Sequence, residues 1–272
     1  MNQASQLRST ELSPEQIQFY RDNGYLILRN RFSPDEVQAW QQEADQLLHA
    51  DFIAENNLRT PMHQMPDGQK VVERVDPVID VSVRFKALLF DDRILEPLRS
   101  IFGEEPVLFK DKLIFKVPRM RGYEMHQDFA WWQPQAGEDT FEAIHPDKIL
   151  SVMLAIDPAT RENGALELYP GYHRELLTPV GQLRNMQEAE IARMDLSGQV
   201  VATTEPGDII VFHSLTPHSS EPNRSQVSRR QLYMTYNALS CGDAYAGQQA
   251  HYRGYVKKRM EQEEQTAEIY FQ

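Results

Sequence analysis

Between residues 107 and 237 the chain alternates short apolar segments with turns. The segments are rich in Val, Ile, Leu and Phe, whereas Gly, Pro and Asp concentrate between them. They are Val107–Val117, Ile149–Ile156, Ala165–Tyr169, Val200–Thr204, Ile209–Phe212 and Gln231–Asn237. Many short strands with regular turn signals are typical of a β-sandwich or barrel. The sequence therefore predicts a mainly β fold with flanking helices packed outside it.

Capping signals predict helices before this β-rich part. Ser13, Pro14 and Gln16 form a capping box, and the helix that they begin is expected to end at Gly24. A short strand is then predicted over residues 25–28. A second capping pattern predicts another helix, whose inner face carries Val37, Trp40, Ala44 and Leu47.

The remaining segments outside the strands are less regular. A third helix is predicted across Ser82–Phe102, before Gly103. Residues 52–76 are polar and irregular, and loops of this length are often functional lids. The stretch 183–198 interrupts the series of strands and favours a short helix.

A chain of 272 residues is consistent with one large domain. Within a single domain over 1–272, we expect residues 1–105 to form mostly helical support. Residues 106–240 are expected to form the β core, and 241–272 a helical tail.

Charge and composition limit the compartment and the partners. The net charge of −12 argues against a nucleic-acid partner, because phosphate binding needs a basic surface. The sequence has no apolar run of the ~20 residues that span a bilayer. A single cysteine, Cys241, cannot form a disulfide within the chain and suits a reducing compartment. We therefore expect a cytoplasmic protein without a nucleic-acid or membrane partner; the oligomeric state is left open.

Two metal-binding residue types lie close together in an aromatic segment, residues 123–132. His126 and Asp128 are two positions apart, so on an extended strand both side chains point to the same face. A third ligand must be another histidine, because cysteine is almost absent. His213 and His218 compete for this place, and the strand pattern favours His218 only slightly.

A series of motifs in a fixed order resembles one known family. They are the helix–glycine–strand entry at 13–28, His126-Gln127-Asp128, Asn163-Gly164-Ala165-Leu166, Pro170-Gly171-Tyr172-His173-Arg174, Pro206-Gly207-Asp208, His218 and Arg229. Together they are similar to the phytanoyl-CoA dioxygenase family of iron(II)- and 2-oxoglutarate-dependent oxygenases. The resemblance implies a double-stranded β-helix core, the cupin-like jelly roll.

The resemblance also implies roles for individual residues. His126, Asp128 and His218 would bind iron as a two-His-one-carboxylate facial triad. The family's 2-oxoglutarate-binding arginine corresponds to Arg229, and Ser220 matches a hydroxyl that helps to bind the same carboxylate. Four other basic residues are expected to be structural or at the surface: His145, His173, His213 and Arg230.

The implied activity is hydroxylation of an unactivated C–H bond. Iron(II) would be the cofactor, 2-oxoglutarate and O2 would be consumed as cosubstrates, and succinate and CO2 would be released. The intact Asp128 favours hydroxylation over halogenation, because related halogenases have a small residue there and use the space for chloride. Two other classes stay open: a non-catalytic cupin-like binding protein, and a zinc hydrolase without need of 2-oxoglutarate.

Residues near the ligands suggest a small zwitterionic or anionic substrate, such as an aminoalkylphosphonate or an amino-acid derivative. Aromatic side chains can hold an ammonium group, and basic side chains can hold a carboxylate or phosphonate. The candidates for substrate contact are Lys112, Tyr123, Trp132 and Tyr236. Trp132 matches a tryptophan of the related ectoine hydroxylases, and the segment from Arg229-Arg230 to Tyr236-Asn237 resembles theirs too. The remainder of their signature, a His-Ser-Asp with Glu-Thr before the tryptophan, is absent. An ectoine hydroxylase-like enzyme and an acyl or natural-product hydroxylase are the alternatives within the family.

Overall fold

The computed structural model describes residues 10–48, 59–65, 67–68, 70–134, 140–262 and 269–271. Its helices are α1 (Pro14–Asn23), α2 (Pro34–Leu48), α3 (Val83–Leu88), α4 (Asp92–Phe102), α5 (Glu188–Ile191) and α6 (Tyr245–Gln262). Its strands are β1 (Tyr25–Leu28), β2 (Arg59–Gln64), β3 (Lys70–Val72), β4 (Arg74–Val75), β5 (Pro106–Lys116), β6 (Tyr123–His126), β7 (Ile149–Ala155), β8 (Leu166–Leu168), β9 (Val200–Ala202), β10 (Ile209–His213), β11 (His218–Ser220), β12 (Arg229–Ala238) and β13 (Ile269–Phe271).

Two antiparallel sheets form the centre of the molecule. The larger has the strand order β1-β10-β7-β12-β5-β4, and the smaller has the order β6-β11-β8-β9. Buried residues of both sheets pack together between them, among them Met153 and Phe212 from the larger sheet and Leu166 and Leu168 from the smaller. This confirms the predicted mainly β fold of the jelly-roll type with flanking helices.

The helices cover the outer face of the larger sheet. Val152, Leu232 and Met234 of this face share one buried cluster with Trp40 of α2 and Leu98 of α4. The predicted inner face of α2 is confirmed, because Val37, Trp40, Ala44 and Leu47 are its buried residues. Side chains at the alternate positions of these strands point into the space between the two sheets.

The N-terminal prediction is confirmed in part. The capping box of Ser13 and Gln16 is present, and α1 ends at Gly24 with a φ of 77°. The predicted helix across 82–102 is wrong as one element. It divides into α3 and α4 because Asp91 provides a second N-cap, with its carboxylate accepting a hydrogen bond from the Arg93 amide.

Two more segments differ from the expectation. The irregular stretch 52–76 holds the strands β2, β3 and β4, while residues 52–58 lie outside the described residues. The described part of the tail contains a strand as well as a helix, because β13 follows α6 and pairs with β2. The short helix expected in 183–198 is present as α5. In the described part of the chain, no helix has the length and apolar character needed to cross a membrane.

Candidate metal and cosubstrate site

Three metal-binding side chains meet between the two sheets. His126 ends β6 and His218 begins β11, and these two residues are direct partners in the antiparallel register. Their ring centroids are 4.2 Å apart. The Oδ1 atom of Asp128 lies 3.7 Å from Nε2 of His126 and 3.8 Å from Nε2 of His218. The ligand atoms of this group all lie within 4.8 Å of one another, a spacing that one metal ion can bridge.

Asp128 reaches the site from a turn and not from a strand, so this part of the prediction is wrong. It opens a 3-10 turn, Asp128–Trp131, while Gln127 before it remains extended (φ −108°, ψ 123°). The buried Gln127 amide holds this corner: it donates to the carbonyl oxygens of Glu175 (2.8 Å) and Leu215 (2.6 Å) and accepts from the Leu177 amide. The extended residue keeps His126 and Asp128 on the same side.

Backbone carbonyl groups fix the imidazole rings. Nδ1 of His126 lies 2.7 Å from the Glu124 carbonyl oxygen, and Nδ1 of His218 lies 2.9 Å from that of Thr216. A carbonyl oxygen only accepts, so each Nδ1 carries the proton and each Nε2 keeps its lone pair for a metal. Burial, together with the neighbouring His218, lowers the pKa of His126 to about 3. The ring is therefore neutral, as a ligand must be.

The Asp128 carboxylate, like the two imidazole rings, is held in one orientation by a hydrogen bond. Its Oδ2 atom accepts a 2.9 Å hydrogen bond from the Ser151 hydroxyl, which leaves Oδ1 facing the imidazoles. Burial alone would raise the pKa of Asp128, but His218, Lys112 and His126 outweigh it and lower the pKa overall. Two imidazole nitrogens and one carboxylate oxygen are the donor set that suits non-haem iron(II). The residues therefore fit this metal.

Arg229 is a buried cation without a carboxylate partner among the described residues. It is only 2% exposed, and its guanidinium donates to the side chain of Gln231. Its Nε atom is buried without a hydrogen-bond partner. Burial lowers the pKa of Arg229, and a charge buried in this way is costly unless an anion pairs with it. A 2-oxoglutarate carboxylate fits this requirement.

Ser220 and Lys116 lie beside this cation. Lys116 is the register partner of Arg229 on β5. Its ammonium donates to Ser220 Oγ (2.8 Å) and to the Glu221 carbonyl oxygen. Ser220 Oγ also accepts from the Tyr123 amide at 3.3 Å, so its own proton remains available for a ligand. Burial, followed by the charge on Arg229, lowers the pKa of Lys116 to about 7.

A glycine makes this arrangement possible. Gly164 has a φ of +74°, and a Cβ atom there would lie 2.1 Å from the Glu221 carbonyl oxygen and 2.7 Å from Lys116 Nζ. Any larger residue would therefore push the lysine out of place. This gives the Asn163-Gly164 motif a physical role in the site.

The four candidates for substrate contact have different locations. Lys112 is half-buried with its ammonium 5.3 Å from the Tyr233 ring centroid, and burial lowers its pKa. Tyr123 donates to Glu73 at 2.6 Å and lies on the Arg229 side of the site. Trp132 packs edge-to-face on Phe109 in a separate apolar cluster.

The fourth candidate, Tyr236, requires a correction. It is 1% exposed in the cluster under the helices, and its hydroxyl donates to the Leu89 carbonyl oxygen at 2.6 Å. Successive residues of β12 alternate between the faces of the sheet. Tyr236 therefore points away from the side that carries Arg229, which removes it from the substrate candidates.

The three histidines that were expected to be structural lie close to one another. His213 Nε2 lies 3.2 Å from Asp147 Oδ1, and its Nδ1 accepts from the Leu215 amide. His173 Nε2 lies 3.0 Å from the Arg21 carbonyl oxygen, and its ring packs against His213. The exposed His145 accepts from the Asp147 amide. These bonds match the expected structural roles, and His218, not His213, lies beside His126.

Sequence reasoning missed several polar residues that line the same interior. Gln231, Tyr233 and Thr235 follow Arg229 at alternate positions, so strand periodicity could have found them. Ser151 and the position of Lys116 depend on pairing between distant strands, and no local signal in the sequence marks them.

Comparison with known proteins identifies the family of the chain. The family model described as phytanoyl-CoA dioxygenase (PhyH) matches residues 20–231. A 2-aminoethylphosphonate dioxygenase from uncultured bacterium HF130_AEPn_1 is 29% identical over 84% of this chain and 83% of its own. A methylphosphonate hydroxylase from Gimesia maris is 27% identical over 86% and 84%.

A solved structure shows the same architecture. EctD from S. alaskensis, crystallised with 2-oxoglutarate and 5-hydroxyectoine, superposes with a TM-score of 0.71 at 25% identity, covering 85% of this chain and 77% of that one. The same protein has also been crystallised with bound Fe. The chain belongs to the phytanoyl-CoA dioxygenase family of iron(II)- and 2-oxoglutarate-dependent oxygenases.

Proposed function

We propose that this protein hydroxylates a small anionic metabolite, with His126, Asp128 and His218 as its iron ligands. The arrangement of the three ligand atoms carries the proposal. Both Nδ1 atoms face carbonyl oxygens and both Nε2 atoms lie 3.7–3.8 Å from the same carboxylate oxygen. A binding protein or a zinc hydrolase would have no need of the buried Arg229 beside this triad.

Arg229, Ser220 and Lys116 are proposed to hold the distal carboxylate of 2-oxoglutarate. The guanidinium supplies charge and paired donors, and the Ser220 hydroxyl, oriented by Lys116, supplies a third donor. When bound, iron and 2-oxoglutarate together supply the oxidising chemistry that uses O2 and releases succinate and CO2. The protein's part is to orient both and to exclude water from the space between the sheets.

The charge of the site favours an anionic substrate. Among the described residues, Lys112, Lys116 and Arg229 have no carboxylate within 4.0 Å, and Asp128 carries the one negative charge of the triad. The charges of iron(II) and doubly ionised 2-oxoglutarate cancel, so neither of them neutralises Lys112. Two relatives named above act on phosphonates, and a phosphonate could pair with this lysine. We propose a phosphonate-class substrate held by Lys112.

A succinate-formation assay with iron(II), 2-oxoglutarate and a set of candidate substrates tests this function. The set contains 2-aminoethylphosphonate, methylphosphonate, the matching alkyl sulfonate and ectoine. We expect phosphonates to stimulate succinate formation most strongly. Stimulation by ectoine alone would contradict the anionic substrate, and no dependence on 2-oxoglutarate would contradict the whole proposal.

The variant Lys112→Met tests separately whether Lys112 binds the substrate. Loss of a charge-assisted hydrogen bond costs about 1.5–3 kcal/mol, so we expect the KM of the phosphonate to rise roughly 10- to 150-fold. The dissociation constant of 2-oxoglutarate should stay unchanged. Lys112→Arg, which keeps the charge, is the matched control and should retain most of the affinity.

A further inference from the structure

A hydroxyl group holds the oxygen of Asp128 that faces away from the histidines. Ser151 lies in the middle of β7, is 2% exposed, and donates from Oγ to Asp128 Oδ2 at 2.9 Å. The bond joins the larger sheet to the 3-10 turn that carries Asp128. Ser151 is absent from the motifs of the sequence, and none of the roles proposed above uses it.

A second hydroxyl lies behind Ser151. Thr235 of β12 is the register partner of Ser151, and their hydroxyl oxygens are 3.4 Å apart. A carboxylate only accepts, so the Ser151 proton must point to Asp128. Thr235 is then the donor to Ser151. Three side chains thus form one directed chain of hydrogen bonds that ends on Oδ2.

The number of oxygens that Asp128 gives to a metal decides how many coordination positions remain. A carboxylate can bind with one oxygen or with two. With one, the triad leaves three adjacent positions, enough for a chelating 2-oxoglutarate and O2. With two, one of these positions is lost.

We propose that Ser151 is a positioning residue that keeps Asp128 a one-oxygen ligand. Its hydrogen bond occupies Oδ2 and so reserves the third open position for the cosubstrates. The inference rests on the metal role of Asp128 proposed above. In this proposal a residue of β7 keeps one coordination position of the metal free.

The test uses the full-length protein loaded with Co(II), whose visible absorption reports coordination number without turnover. In Ser151→Ala we expect Co(II) to bind still, with an altered d–d spectrum. The affinity for 2-oxoglutarate, measured by titration of the Co(II) protein, should fall; losing a partner of a metal ligand typically costs about 10- to 100-fold in metal affinity or activity, and we expect a decrease of the same order here. Ser151→Cys, nearly isosteric and a weak donor, should recover part of the affinity and also serves if the alanine variant does not fold.

Two controls distinguish a wrong role for Ser151 from a wrong assignment of the metal site. Thr235→Val removes the hydroxyl behind Ser151 without touching Asp128, and should leave the Co(II) spectrum close to wild type. An unchanged spectrum and 2-oxoglutarate affinity in Ser151→Ala, or equal losses in Thr235→Val, would overturn the role of Ser151. His126→Ala should abolish Co(II) binding; if it does not, the proposed metal site itself is wrong and the role of Ser151 falls with it.

Discussion

Two neighbouring arginines on β12 meet opposite environments. Arg230 points to the outer face, where its guanidinium binds both oxygens of Asp157 at 2.7 and 2.8 Å and also Asp45. Arg229 points between the sheets, where Gln231 is its hydrogen-bond partner and no described carboxylate pairs with it. Arg230 on the outer face is thus paired with carboxylates of the chain, whereas no carboxylate among the described residues pairs with Arg229 on the inner face.

The outer face of β12 therefore contributes to the stability of the fold, and its inner face contributes to ligand binding. The outer face combines ion pairs with a large apolar cluster, in which Leu232 and Met234 are fully buried, and such burial stabilises the fold. The buried Arg229 opposes folding, because its charge has lost water without gaining a counter-ion. An anion that binds there relieves this cost, so ligand binding should also stabilise the protein.

Arg229→Gln is expected to have the largest effect. Truncating one partner of a buried charge pair costs about 2–5 kcal/mol, so the affinity for 2-oxoglutarate should fall from roughly 30-fold to several thousand-fold. The stability of the ligand-free protein should not fall, since an uncompensated charge has been removed. Arg230→Gln is the matched control: it should lower the free energy of unfolding and leave 2-oxoglutarate affinity unchanged. The reverse pattern would show that the two faces have been assigned wrongly.

Leu232→Ala should perturb the outer face alone. The side chain is fully buried, and truncation of a buried leucine to alanine costs about 3 kcal/mol of stability. The dissociation constant of 2-oxoglutarate, measured well below the melting temperature, should stay near the wild-type value. A large loss of affinity would mean that packing under the helices sets the geometry of the site, and the distinction between the faces would fail.

The chemical part of the site could be predicted from the sequence, and its geometry only in part. The His-x-Asp motif and the ordered motifs around it identified the three candidate ligands. Strand periodicity suggested the wrong element for Asp128, because the chain turns directly after Gln127. The same periodicity, counted from Arg229, would have placed Tyr236 correctly on the other face.

Contacts between distant strands explain what the sequence could not predict. Lys116 lies beside Arg229 because β5 pairs with β12, and Ser151 reaches Asp128 because β7 lies next to the turn after β6. Such pairings depend on register, which the whole sheet determines. The division of the predicted helix at 82–102 has a local cause, Asp91, which is a strong capping residue.

The affinity for 2-oxoglutarate should fall as the pH rises above about 7. Burial and Arg229 lower the pKa of Lys116 to about 7 in the ligand-free protein. A bound carboxylate favours the charged ammonium and raises that pKa, so binding takes up a proton. Below pH 7 the lysine is already charged and affinity is constant; above it, affinity falls by up to about tenfold per pH unit. Titrations between pH 6 and 9 measure this, and Lys116→Arg should flatten the dependence. An affinity that rises with pH would exclude this role for Lys116.

Tyr236→Phe should have the smallest effect and gives the most direct test of the correction to the substrate candidates. The change removes the hydrogen bond to the Leu89 carbonyl oxygen, which should cost about 1 kcal/mol of unfolding free energy. The ring stays in the apolar cluster, so packing is retained. Because this side chain lies on the opposite face from Arg229 and Lys112, the KM of the substrate and the affinity for 2-oxoglutarate should both be unchanged. A raised KM with unchanged stability would mean that Tyr236 contacts the substrate. Residues on both faces of β12 would then take part in binding.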